Sequence, residues 1–182
     1  MRYNLSGKIT KDGSITVPAN LLSQIVSNLI DERVELSAEE SALNISTESY
    51  KASLQGTQAL EFPVLPAIEN TEEYVEIDSL LFKSSLENVL SAAQFSELRP
   101  ELSSVYFQFF GDRIVLVATD SFRLAEKTIM GNQFKSTVVG EFKVLLPLKT
   151  AQELARVLKE KGVMKIYRDQ GQMLFKTERI EL

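Results

Sequence analysis

The sequence predicts an α+β fold built from a repeated unit, and three observations predict it. One pattern, strand–helix–strand–strand–strand, occurs three times along the 182 residues. Short amphipathic helices alternate with runs rich in β-branched and aromatic residues, bounded by turn residues. A Thr followed by an acid, at Thr47-Glu48, Thr119-Asp120 and Thr177-Glu178, stands between the third and fourth strands of each copy.

The first copy opens with VPANLLSQIVSNLI (17–30), a short helix with Pro18 suited to its first turn. VELSAEESALNISTESYKASLQG then gives strand, polar turn, strand, Thr-Glu and strand. The second copy begins with YVEIDSLLFKSSLENVLSAAQF, a strand running into a helix of about fifteen residues with Asp78 or Ser79 as N-cap. VYFQFFGDRIVLVATDSFRLAEKTI follows, with Gly111-Asp112 marking a hairpin turn. In the third copy, FKVLLPLK leads into a helix that places Leu148, Ala151, Leu154, Ala155 and Leu158 on one face. Gly162 is the expected C′ residue, and MKIYR, the turn DQG, MLFKT and RIEL complete the copy. SYKASL (49–54) parallels SFRLAE (121–126), so Phe122, Arg123 and Leu124 stand against Tyr50, Lys51 and Ala52.

Between the first two copies, ALEFPVLPAIENTEE (59–73) has two prolines and loses the hydrophobic period, as expected of a linker. The second and third copies have no such break. They predict one domain of two units, with the first copy as half of another.

Composition narrows the chemistry. Apolar residues make up 44% and charged residues 25%, an ordinary globular balance. No apolar run approaches the roughly 18 residues of a membrane span, and MRYNLSGKIT lacks the apolar core of a signal peptide, so a soluble cytoplasmic protein is expected. There is no Cys and no His, which removes the thiol nucleophile, the commonest general base and the usual zinc ligands. No P-loop, GxGxxG or EF-hand loop is present. Asp120-x-x-Arg123 offers one ion pair with no base or nucleophile beside it. It is expected to be a turn rather than a catalytic pair, and neither enzyme activity, cofactor nor metal is expected. Net charge is −5 but uneven: −4 over 1–70, −5 over 71–130 and +4 over 131–182. The basic end can face a polyanion despite the total.

Several stretches resemble one family, the bacterial sliding clamp, the beta subunit of DNA polymerase III. VATDSFRLA is similar to its central-domain TDxxRLA signature, and RPELSSV (99–105) to its RPxLxGV stretch. GSITVPANLL (13–22) and LEFPVLP (60–66) resemble the last part of its first domain and the following linker. VLLPLKTAQELARVL resembles the second helix of its central domain. Ser104 departs from the family's usual Gly, and Phe122 from its usual His or Tyr, which removes a polar handle.

The resemblance implies the clamp fold, with antiparallel sheets outside and helices inside. Residues 1–68, with linker 59–68, correspond to the second half of the N-terminal domain, and 69–182 to a central domain truncated at its C-terminal end. The family's first half-domain and third domain are not matched, so a full ring from this chain alone is not expected. In the family, two full-length subunits form a homodimeric ring around duplex DNA. It is held without sequence specificity, through phosphate contacts. The implied DNA-facing residues are Lys83, Arg99, Lys149, Arg156 and Lys159, with Lys161 beside them; read without the family, the helix cations fit a solvated face paired with Glu153 and Glu160. The outer face takes short apolar peptides of the polymerase III catalytic subunit, the clamp loader and other partners. Here the resemblance implies Leu102, Thr119, Ser121, Phe122, Arg123 and Leu124. Pattern alone would make Phe122 and Leu124 a strand's inward face, with Arg123 its solvated neighbour. With no third domain, half a pocket and weak peptide binding are expected. The alternative to a clamp is a β-rich repeat scaffold or interaction domain without a DNA role.

Overall fold

A computed structural model describes residues 1–39, 41–64, 67–169 and 171–182. It contains strands β1 (Arg2–Tyr3) and β2 (Ile15–Thr16), helix α1 (Ala19–Ser27), and strands β3 (Glu35–Glu39), β4 (Ala42–Ser46), β5 (Lys51–Gln55) and β6 (Thr57–Gln58). Then follow β7 (Tyr74–Asp78), α2 (Ser79–Leu90), β8 (Ser104–Phe109), β9 (Arg113–Thr119), β10 (Leu124–Met130) and β11 (Phe134–Ser136). The chain ends with β12 (Phe142–Pro147), α3 (Leu148–Val157), β13 (Val163–Asp169), β14 (Gln172–Lys176) and β15 (Ile180–Glu181). It divides into two compact units, Ser6–Pro66, and Met1–Leu5 with Ala67–Leu182.

The larger unit holds two antiparallel sheets, ordered β10-β9-β8-β12 and β1-β15-β14-β13-β7-β11. Its organising feature is a reciprocal exchange. The strand that opens each copy pairs with the other copy: β7 with β13 (Ile77 opposite Met164, Val75 opposite Ile166), and β12 with β8 (Leu146 opposite Val105). Because the copies trade strands, one core serves both. Val75, Phe82 and Leu86 from one and Leu154, Met164 and Phe175 from the other belong to the same buried cluster. Phe82 and Phe175 meet across the copies at 5.8 Å between ring centroids, and Phe107 and Phe142 at 5.7 Å. Each such ring removes apolar surface worth roughly 1.5–3 kcal/mol.

The helix starts follow local chemistry. Asp78 is the N-cap of α2, its carboxylate accepting from the Leu80 and Leu81 N–H groups at 3.0 and 2.9 Å. Leu148, Ala151, Leu154, Ala155 and Leu158 are all buried, as the periodicity requires. The expected end of α3 is corrected. Leu158 has left helical backbone (φ −74°, ψ 84°), and Gly162 closes no helix. Instead its carbonyl accepts from the Ser79 N–H at 2.9 Å, while Ser79 Oγ donates to the Glu160 carbonyl at 2.7 Å. The start of α2 therefore ties down the segment after α3, and Lys159 and Lys161 lie beyond the helix rather than on it.

The repeat register at the last turn is also corrected, by one residue. Tyr50 N–H donates to Thr47 Oγ1 and Ile180 N–H to Thr177 Oγ1, both at 3.0 Å. In the middle copy Arg123 N–H donates to Asp120 Oδ1 at 2.9 Å. Asp120, not Thr119, thus does the work of Thr47 and Thr177, and Arg123 stands where Tyr50 and Ile180 stand. A carboxylate and a hydroxyl close the same turn, so residue type alone misaligned it.

The smaller unit is one copy. Sheet β3-β4-β5, the two-stranded pair β2-β6 and α1 enclose a small core of Leu43, Ile45 and Leu54, with Val17, Leu22 and Ile25 partly buried against it. No residue of α1 is fully buried, and every residue of β3 is exposed. Gly56 passes so close to β2 that a Cβ there would collide with the Thr16 carbonyl. In the expected linker, Ala59–Glu61 form a 3₁₀ turn, and Leu65 and Pro66 lie outside the described residues.

Candidate functional site

Two short segments converge beside the start of β10. The first joins α2 to β8. Ser103 Oγ accepts from Ser96 N–H at 2.7 Å and donates to the Ser96 carbonyl at 3.0 Å, which closes the loop on itself. Pro100 starts a 3₁₀ turn over Pro100–Leu102, which leaves Leu102 half-buried. The second segment is the β9–β10 turn. Asp120 Oδ1 accepts from Phe122 and Arg123 N–H groups at 3.0 and 2.9 Å, and its Oδ2 meets Arg123 Nε at 2.9 Å. Thr119 Oγ1 donates to the Arg123 carbonyl at 2.7 Å and accepts from Ser121 N–H at 3.1 Å. This network holds Ser121 at φ 77°, a left-handed backbone uncommon outside glycine.

That backbone turns Phe122 outward. It is 97% exposed. The inward-face reading of Phe122 therefore fails; the strand begins only at Leu124. Hydrogen bonds to the Asp120 carboxylate, above all from Arg123 N–H, hold its pKa below the ordinary carboxylate range. Among the described residues, the bonds of this pair close the turn.

Leu102, Ser121 and Phe122 line a shared cavity of about 390 Å3, with Phe95, Asp120 and Arg99. Arg99 Nη1 donates to Ser121 Oγ at 3.2 Å, so this cation sits at the cavity rather than on a helix. Thr119, Arg123 and Leu124 do not line it; Thr119 and Arg123 shape the turn, and Leu124 is exposed at the start of β10. Phe95 was missed by the sequence reading. Its signal was an exposed-loop aromatic five residues past the end of α2 at Leu90.

The remaining expected cations lie on the two helices, which pack against each other, and just beyond the second. On α2, Lys83 Nζ lies 3.8 Å from Glu87. At the start of α3, Lys149 Nζ sits 5.9 Å from the centre of the Phe95 ring. Arg156, in the last turn, bonds Glu153 through Nε at 2.8 Å, which depresses the pKa of that carboxyl. Arg156 and Lys159 both line a second cavity, of about 850 Å3, together with Lys161, Lys165, Lys176 and Arg179. Lys176 and Arg179 are paired with Glu181 and Glu160. Lys159 and Lys161 have no carboxylate within 4.0 Å among the described residues. The structure thus gathers Arg156 and Lys159 at one end of α3 and keeps Lys149, Lys83 and Arg99 apart from them.

These features define a class. The fold is that of DNA polymerase sliding clamps. The clamp subunit of Thermotoga maritima superposes with a TM-score of 0.82 at 29% identity, over 96% of this chain and 47% of that one. The family follows from the sequence models: "DNA polymerase III beta subunit, central domain" matches residues 76–182, and "DNA polymerase III beta subunit, N-terminal domain" matches residues 1–66. The chain belongs to the DNA polymerase III beta subunit family, and the scaffold alternative is not favoured. Beta sliding clamps of Synechococcus elongatus and Bacillus subtilis are 29% and 30% identical to it, over 96% and 94% of this chain and 47% and 45% of theirs. The chain spans about half the length of the curated relatives it matches. Among the described residues, no helix is long and apolar enough to cross a membrane.

Proposed function

We propose that this chain supplies part of a DNA sliding clamp, a non-catalytic processivity factor of DNA polymerase III. In this reading, Ser6–Pro66 is the second half of a clamp N-terminal domain and the larger unit is its central domain. Clamps of the family close as rings, and Lys83 of α2, Lys149 and Arg156 of α3 and Lys159 just beyond α3 hold duplex DNA by separate phosphate contacts that carry no sequence information. The cavity between Leu102, Phe95 and Phe122 receives an apolar peptide segment of the polymerase, the clamp loader or another replication partner. The observation that carries the reading is Phe122. A turn closed by its own hydrogen bonds holds a large aromatic almost fully in solvent, at a concavity that Leu102 also lines. An exposed aromatic fixed in this way is suited to anchoring a peptide side chain.

The test is a titration of a fluorescein-labelled Gln-rich, Leu/Phe-ended peptide against the chain and its Leu102→Ala/Phe122→Ala variant. Saturable binding that the double variant weakens tenfold or more is expected, since one buried anchor contributes roughly 1.5–3 kcal/mol. Equal binding by both proteins sinks the assignment of this cavity.

A further inference from the structure

The two cavities of the larger unit lie at equivalent places in its two copies. Each sits between the segment that follows a helix and the turn that joins the third and fourth strands. Thr177 stands where Asp120 stands, so Glu178 and Arg179 are the equivalents of Ser121 and Phe122. All three residues of each turn line their cavity. An arginine bridges the two walls in both: Arg99 Nη1 to Ser121 Oγ at 3.2 Å, and Arg179 Nη1 to Glu160 Oε1 at 3.3 Å. In both, the first residue of the other copy's helix donates its N–H to the segment. Leu148 donates to the Ser103 carbonyl and Ser79 to the Gly162 carbonyl, each at 2.9 Å. The repeat therefore builds one concave frame twice.

The side chains on that frame differ. Phe95, Leu102 and Phe122 line the first cavity. The second has Arg179 in place of Phe122, and Lys159 and Lys161 on the facing segment. Lys165 and Lys176 also line it, directly opposite each other on β13 and β14. Like charges so placed cost stability. Glu76 at 4.0 Å from Lys165 and Glu181 at 2.7 Å from Lys176 offset that cost. Lys159 and Lys161 are exposed and form no ion pair among the described residues. Two carboxylates line the cavity as well, Glu178 and Glu160, and Glu160 is engaged by Arg179. Apolar groups complete it: Leu158 and Ile180 are buried, and Val163 is 57% exposed. All of these groups lie between Ser79 and Ile180.

We propose that the second cavity is a binding site for an acidic peptide segment that carries one apolar residue. Its carboxylates take charge-assisted hydrogen bonds from Lys159, Lys161 and Arg179, and its apolar side chain packs on Val163. That the ligand is a peptide follows the reading of the first cavity; that it is acidic follows from the charge. The cations stand on facing walls, so the negative groups have to enter between them. A DNA duplex is convex and rigid and reaches only the rim. The chain as a whole carries a net charge of −5 and repels an acidic peptide, so one that binds must find a local positive site.

Fluorescence anisotropy of a fluorescein-labelled Asp/Glu-rich peptide with a central Leu, titrated with the full chain at low salt, tests it. Saturable binding is expected, and the Asn/Gln version of the peptide does not bind. Lys159→Glu/Lys161→Glu weakens binding at least tenfold and leaves the fold intact, because both side chains are exposed. Lys8→Glu/Lys143→Glu makes the same change of net charge at exposed positions outside the cavity and has little effect. Equal weakening by the two double variants overturns the proposal, as does equal binding of the Asn/Gln peptide. Loss of binding on Leu102→Ala/Phe122→Ala overturns it too, by placing the acidic peptide in the first cavity. No binding of the acidic peptide also overturns it; the Gln-rich peptide titrated beside it shows separately whether the first cavity binds.

Discussion

The two units of this chain use the same repeat and reach opposite ends. Where two copies meet, their opening strands cross over and twenty residues join one buried cluster. In the smaller unit, which holds one copy, three of the described residues form the buried core and a helix of the same length class buries none. A single copy therefore leaves much of its apolar surface uncovered. A strand–helix–three-strand segment has an apolar sheet face and an apolar helix face, and it can cover them fully only with a second segment of its kind.

Single substitutions at equivalent positions break or sharpen that contrast. The largest effect is expected at Leu154→Ala in α3, at about 2–5 kcal/mol by urea unfolding, because it empties space in the shared core. Its counterpart Ile25→Ala in α1, only partly buried, should cost a fraction of that in the same measurement. Equal losses would mean that the smaller unit is packed as well as the larger.

Helix initiation differs next. Asp78→Ala removes two N-cap hydrogen bonds and should cost about 0.5–2 kcal/mol. Pro18 starts α1 with no side-chain cap, so Pro18→Ala has no such bond to lose.

The third contrast is between turns. Asp120 closes its turn with a carboxylate, whereas Thr47 and Thr177 close theirs with hydroxyls. The folded-state pKa of Asp120 is depressed, so its contribution is fully present above its ordinary pKa and is lost as pH falls through the folded value. The stability difference between the native chain and Asp120→Asn should hold at neutral pH and vanish in acid, while Thr177→Val gives a difference without that pH dependence. The smallest effect is expected from Lys83→Ala, at about 0.3–0.5 kcal/mol and weaker in high salt, since Lys83–Glu87 is an i,i+4 surface pair.

Much of the fold was legible because local chemistry wrote it. The N-cap at Asp78, the buried stripe of α3 and the hairpin at Gly111 follow from residue type and spacing, and the resemblance carried by TDSFRLA pointed to the family. The candidate site was legible in part. Leu102, Ser121 and Phe122 do share a cavity, but Thr119 and Arg123 build the turn, and Phe95 and Arg99 join from a loop whose path no short-range pattern specifies. The turn was misaligned because Thr and Asp both present an oxygen to the same N–H group.

The sequence by itself determined the repeat, the helix starts, the absence of thiol and imidazole chemistry and the kinship with clamp subunits, since each depends on neighbouring residues or on composition. Only the tertiary structure decided that opening strands belong to the opposite copy and that Ser79 claims the carbonyls after α3, so that Lys159 leaves the helix. It alone showed Phe122 facing solvent. Those outcomes depend on which distant backbone groups find one another, and hydrogen bonds between residues some eighty positions apart leave no local trace.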